Sequence, residues 1–130
     1  MNIVEATTIL TLIDRGDPMS DDSPLHIERE DHIGYLVIDR ADKRNAMNDN
    51  FFALLPMKMM ELDEDDQVRV VILRGEGKCF TAGLDLVEAA ALLQMTGADG
   101  REKLRLKILQ LQESITSVER CRKPVIAAVH

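Results

Sequence analysis

Gly77-Lys78-Cys79-Phe80-Thr81-Ala82-Gly83-Leu84-Asp85-Leu86 joins two segments of opposite habit. Before it lies a β-branched apolar run, residues 68–73, closed by Gly75 and read as a buried central strand. After it, residues 86–95 are rich in Leu and Ala and fit a helix. A strand that turns through glycine into a helix leaves backbone N–H groups without partners, and the helix dipole adds positive potential there. Such a turn suits an anion or an oxyanion. Gly83 lets a ligand approach the backbone closely, and Asp85 is placed to cap the new helix. Gly75-Glu76-Gly77-Lys78 has the look of a phosphate loop, but it meets neither the Walker A nor the dinucleotide spacing. Many α/β folds use a strand–glycine–helix turn as a plain connection, so the reading depends on the other segments.

Asp39-Arg40-Ala41-Asp42-Lys43-Arg44-Asn45-Ala46-Met47-Asn48 lies one helix and one strand upstream, and Lys123-Pro124-Val125-Ile126-Ala127-Ala128-Val129-His130 lies downstream. With the turn, these segments resemble the crotonase family of enoyl-CoA hydratases and isomerases over residues 25–130. Ile115-Thr116-Ser117-Val118-Glu119-Arg120-Cys121 is similar to its dienoyl-CoA isomerase branch. The resemblance implies an α/β fold, a crotonase-like spiral of ββα units, of which this is the N-terminal part of the core. It implies an acyl-CoA thioester as substrate in fatty acid breakdown, with coenzyme A as part of the substrate and no separate cofactor.

Carried over by residue, the resemblance places the CoA moiety on the 39–48 loop, with Lys43 and Arg44 against phosphate or adenine and Ala46 beside them. It makes the Leu84 backbone N–H one of two oxyanion donors, with the Leu84 side chain lining the pocket. Ala82 and Leu86 then border the pantetheine channel, next to Asp85 at the helix cap. Ala41 stands where the family usually has Pro, which loosens the loop without removing its contacts. The second donor and the catalytic acids of the family are expected beyond His130. The 130 residues are therefore read as an inactive front portion of an enzyme that assembles as a homotrimer or hexamer. The alternative is a short, non-catalytic protein that binds CoA or a crotonase partner.

Composition narrows the remaining classes. A chain of 130 residues with 45% hydrophobic content can bury one core. A formal charge of −7 argues against nucleic acid, which requires clustered Lys and Arg, and no stacking arrangement surrounds Tyr35 and the three Phe. No run reaches the ~20 apolar residues of a membrane span, and neither a secretory nor an organelle signal is visible, so a cytoplasmic location is expected. Cys79 and Cys121 fit a reduced compartment as ordinary small residues. Asp63-Glu64-Asp65-Asp66 lacks the central Gly of a calcium loop and reads as a solvated turn; no metal site is expected. Asp85 as an acid, or His32 or His130 in a nucleophilic triad, finds no supporting pattern.

Along the chain, residues 1–24 are breaker-rich and read as a disordered tail, dispensable up to Met19. Residues 25–30 and 33–39 read as paired strands around Asp31-His32, with Gly34 a point of close approach. Asn48 or Asp49 can cap a helix bearing Phe51, Phe52, Leu54, Leu55, Met59 and Leu62 at helical spacing. Pro56 inside it should kink the helix or cost about 3 kcal/mol. Residues 96–100 break the next helix, and Leu104, Ile108, Leu111, Ile115 and Val118 define an amphipathic one. The basic residues at 120–123 suit a helix C-terminus. Pro124 opens a last strand, 125–129, apolar on both faces and expected to be buried under helices.

Overall fold

The computed structural model describes residues 23–130, so the expectations for the tail, the start at Met19 included, fall outside the described residues except at Ser23 and Pro24. Pro24 is fully buried, and its carbonyl accepts the Asp39 N–H at 3.0 Å. From there β1 (Leu25–Glu30) turns at Asp31, whose φ is 50°, into antiparallel β2 (Ile33–Ile38), with Leu25 opposite Ile38. Helix α1 (Asp49–Glu64) crosses to β3 (Val70–Gly75), which runs parallel to β2. Helices α2 (Leu86–Leu92) and α3 (Gly97–Glu119) then lead to β4 (Val125–Ala128), parallel to β3. The sheet order is β1-β2-β3-β4.

The α1 pattern folds as its spacing predicts. Asn48 caps it by accepting the Phe51 N–H at 2.9 Å, and Phe51, Phe52, Leu55, Met59 and Leu62 are buried. They pack with Leu25, Leu36, Ile38, Val68 and Val71 as one core. The Phe51 and Phe52 rings meet edge to face, centroids 5.3 Å apart.

Helix α1 runs on through Pro56. Proline has no N–H, so the Phe52 carbonyl one turn earlier loses its helical donor. The Ser114 hydroxyl of α3 supplies one at 2.7 Å, and Ser114 is itself buried. This explains why the inward face of α3 departs from the apolar count. Leu104, Lys107, Leu111, Ser114 and Val118 are buried or half-buried, as are Gly100, Thr116 and Ser117, whereas Ile108 and Ile115 stay 43% and 47% exposed. A polar residue sits innermost because a carbonyl there needs it. Ser114→Ala is therefore expected to cost about 1–3 kcal/mol, the range for an orphaned buried acceptor. In a Pro56→Ala background, where the helix can supply the N–H, the same change should cost less; urea melts of the four variants measure the difference.

Other boundaries shift for local reasons. β3 begins two residues after the apolar run does; Val68 is buried ahead of the strand, while Val70, Ile72 and Leu73 are only half-buried. Helix α2 stops at Leu92, and α3 starts at Gly97 with Gly100 already inside it, so the expected five-residue break is shorter. β4 is central in neither position nor burial. It forms the sheet edge, pairs with β3 alone among the described residues, and leaves Ile126 55% exposed.

The acidic run is more than a solvated turn. Asp63 pairs with Arg122 and Asp65 with Arg29, both at 2.8 Å. Lys123 caps a helix C-terminus, but that of α1: its ammonium donates to the Leu62 and Asp65 carbonyls at 2.6 Å each.

Candidate functional site

Two loops carry the sequence-predicted residues, and the fold zips them together. The first contains a 3₁₀ turn, Ala41–Lys43, and leaves it through Arg44 and Asn45 at φ 52° and 55°. The second is the turn between β3 and α2. Ala82 N–H donates to the Arg44 carbonyl at 2.9 Å, Met47 N–H to the Gly83 carbonyl at 2.8 Å, and Asp85 N–H to the Met47 carbonyl at 2.9 Å. Gly83 has φ 91°, a left-handed conformation that glycine adopts without strain.

These bonds use the turn's N–H groups unequally. Ala82 and Asp85 donate to the first loop, and Gly83 donates to its neighbour Thr81 Oγ1 at 3.1 Å. The N–H of Leu84 has no acceptor among the described residues. Beside it, Asp85 accepts the Val87 N–H at 3.1 Å as the α2 cap and meets the Arg40 guanidinium at 3.2 Å. Arg40, followed by the backbone N–H groups of Val87 and Glu88, holds the Asp85 carboxyl below the usual carboxylate range. It is an ionised cap with no proton to give. Arg40 also donates to the Ala46 carbonyl, so one guanidinium ties the first loop to the start of α2.

Two clefts flank this junction. One, of about 490 Å³, opens between the turn, α2 and α3; Met47, Leu84, Leu92, Met95 and Leu106 give it an apolar wall, and Asp49, Glu88, Lys103 and Lys107 also line it. Two contacts bridge it: Lys107 Nζ pairs with Asp49 at 2.9 Å, and Glu88 accepts the Asp49 N–H at 2.6 Å. The other cleft, of about 670 Å³, is lined by Arg44, Lys78, Gly77, Glu76 and Cys79. Thus Leu84 lies in the first and Arg44 in the second, while Lys43, Ala46, Ala82, Asp85 and Leu86 line neither. Lys43, Ala82 and Leu86 are exposed nearby, and Ala46 is half-buried between the loops.

Sequence reasoning gave no role to Asn45 or Thr81. Asn45 is fully buried and bonds to both loops, and Thr81 Oγ1 donates to its carbonyl at 2.6 Å. The available signal was the residue type, since Asn tolerates a left-handed backbone. His32 bonds the Gln67 carbonyl and His130 the Gly77 carbonyl. Among the described residues no cluster of His, Cys, Asp or Glu could hold a metal, and both cysteines are free.

The sequence model of the enoyl-CoA hydratase/isomerase family matches residues 28–130. The chain belongs to that family. Among its relatives, the peroxisomal Δ3,5-Δ2,4-dienoyl-CoA isomerase of Arabidopsis thaliana is 42% identical over 103 residues, which cover 75% of this chain and 37% of that protein. The mitochondrial Δ3,5-Δ2,4-dienoyl-CoA isomerase of Mus musculus is 39% identical over 76% of this chain and 32% of its own. The crystal structure of an enoyl-CoA hydratase/isomerase from Marinobacter aquaeolei superposes with a TM-score of 0.69 at 30% identity, covering 80% of this chain and 40% of that one. The chain therefore spans about a third of the length of these curated relatives. Its fold is the crotonase-like one, with a mixed four-stranded sheet and covering helices. Among the described residues, no helix of this family member is long and apolar enough to cross a membrane.

Proposed function

We propose that this chain supplies the CoA-holding loop and one oxyanion donor of an enzyme that isomerises or hydrates enoyl-CoA thioesters, with a dienoyl-CoA as the favoured substrate. The observation that carries the reading is the Leu84 N–H, the one donor between Ala82 and Asp85 that the protein leaves unengaged among the described residues. Loss of a proton next to a conjugated thioester moves charge onto the carbonyl oxygen. A fixed N–H aimed at that oxygen stabilises the charge as it forms, without reorganising. The apolar cleft beside Leu84 takes the acyl chain, and Arg44 and Lys78 offer cations to CoA phosphates in the second cleft, with Lys43 nearby. The chemistry needs no cofactor beyond the CoA of the substrate.

Proton transfer comes from elsewhere than the carboxylates around Leu84. Asp85 is held ionised by Arg40, Glu88 accepts the Asp49 N–H, and Asp49 pairs with Lys107. The 130 residues alone are therefore expected to show no turnover. Absorbance of crotonyl-CoA and of a dienoyl-CoA, followed with the 130-residue chain and with the product of the gene's full reading frame, makes the test. Activity in the second and silence in the first supports the proposal. Turnover by the 130 residues that survives gel filtration would overturn the proposal, since it requires an acid–base pair within them.

Exposed Leu106, Ile108, Leu109, Ile126 and Val129 provide apolar surface for association, and a trimer or hexamer is the assembly proposed. The relatives named above are peroxisomal and mitochondrial; for this chain the free cysteines support a reducing compartment, the cytoplasm included.

A further inference from the structure

We infer that Asn45 is a positioning residue for the oxyanion donor: it touches no ligand, and it sets the place of the Leu84 N–H by holding the turn that carries it. The inference rests on the reading of Leu84 as a donor. Asn45 is 0% exposed, so it acts only through its neighbours. Its Nδ2 donates to the Glu76 carbonyl at 2.7 Å and to the Cys79 carbonyl at 2.9 Å, fixing both ends of the segment that leaves β3. Its Oδ1 accepts the Arg40 N–H at 2.9 Å, and its own N–H donates to the Arg40 carbonyl at 2.9 Å. The Nδ2 bonds thus reach the second loop, while the two bonds with Arg40 close the first loop on itself.

The link continues toward Leu84. The Asn45 carbonyl accepts the Thr81 hydroxyl at 2.6 Å, and the same Thr81 oxygen accepts the Gly83 N–H at 3.1 Å, one residue before the donor. Two hydrogen bonds in series thus join the Asn45 backbone carbonyl to the residue that precedes the open N–H.

The residue type is nearly forced. The position needs two donors and one acceptor on a short planar group, a combination that only Asn offers at this length. It also needs φ near 55°, which Asn tolerates better than bulkier residues. A methyl group on Gly75 would lie 2.8 Å from Asn45 Nδ2 and 2.5 Å from the Phe80 carbonyl, so glycine at 75 leaves the room the amide occupies. Asp keeps the acceptor but sets a carboxylate against two carbonyl oxygens. A residue serving only the hydrophobic core would not carry this pattern, because an apolar side chain fills space without orienting a turn.

The test reads carbonyl polarisation apart from turnover. A conjugated dienoyl-CoA absorbs at longer wavelength when an oxyanion site polarises its thioester carbonyl. The full-reading-frame protein is saturated with this compound as wild type, Asn45→Ala, Asn45→Asp and Thr81→Val, with circular dichroism and melting curves for each. We expect a red shift in the wild type, and at least half of it lost in each folded variant while affinity changes only a few-fold. Steady-state kinetics should show kcat down about tenfold or more with KM little changed, the pattern of an interaction made in the transition state. A folded Asn45→Asp or Thr81→Val protein with the full wild-type shift would overturn the inference. If Asn45→Ala does not fold, the Thr81→Val variant, which breaks the bond between the Asn45 backbone carbonyl and the turn, decides. Absence of any shift in the wild type would instead sink the Leu84 reading, and this inference with it.

Discussion

Turnover of an enoyl- or dienoyl-CoA is expected to fall by about 10²–10³ when Leu84 is replaced by Pro in the protein made from its full reading frame, the cost of removing one oxyanion donor. Proline deletes the N–H, and it also fixes φ and trims the cleft wall that Leu84 lines. The Leu84 N–H takes part in no internal hydrogen bond among the described residues, and its side chain is 40% exposed. The fold should therefore notice the change less than the chemistry does. Leu84→Ala keeps the donor and trims only the cleft wall, so its effect should be mild and confined mostly to KM. Circular dichroism must show both variants folded. A folded Leu84→Pro enzyme at wild-type rate would remove Leu84 from the mechanism.

The two loops of the site were legible in the sequence because their chemistry is local. Asp85 caps α2 as its type and place require, and Gly83 takes the positive φ that a strand-to-helix turn needs. The pairing of β1 with β2, the cap at Asn48 and the core face of α1 followed from short-range pattern in the same way. What the pattern missed was set by long-range partners. Ser114 faces inward because a proline 58 positions earlier frees a carbonyl, and periodicity cannot see that pairing. β4 reads as a buried strand by composition, yet burial depends on what packs over it, and only β3 pairs with it among the described residues. Lys123 lies before β4 in sequence but caps α1 in space. Asn45 stood in plain view within its motif. Its function as a clamp needed the second loop, brought beside it by the parallel pairing of β2 and β3.

Beside that pairing, strand β2 and helix α1 make a close contact that a double mutant can expose. Leu62 is 0% exposed at the end of α1. A methyl group on Gly34 of β2 would come within 2.5 Å of its Cδ2 and 3.1 Å of Val68 Cγ1. Gly34 is thus glycine because helix and strand approach too closely for a side chain. Leu62→Ala should cost about 2–5 kcal/mol, as large-to-small changes do in a fixed core. Gly34→Ala should cost about 1–3 kcal/mol through overpacking against Leu62 and Val68. Made together, the added methyl fills part of the space that Leu62 vacates. The double variant is therefore expected to lose less than the sum of the two, by about 0.5–3 kcal/mol, the range for residues in contact. Urea unfolding at unchanged m-value measures each term. Additivity within about 0.3 kcal/mol would mean that the two sites do not share that space, and the account of Gly34 as a close-approach glycine would fail.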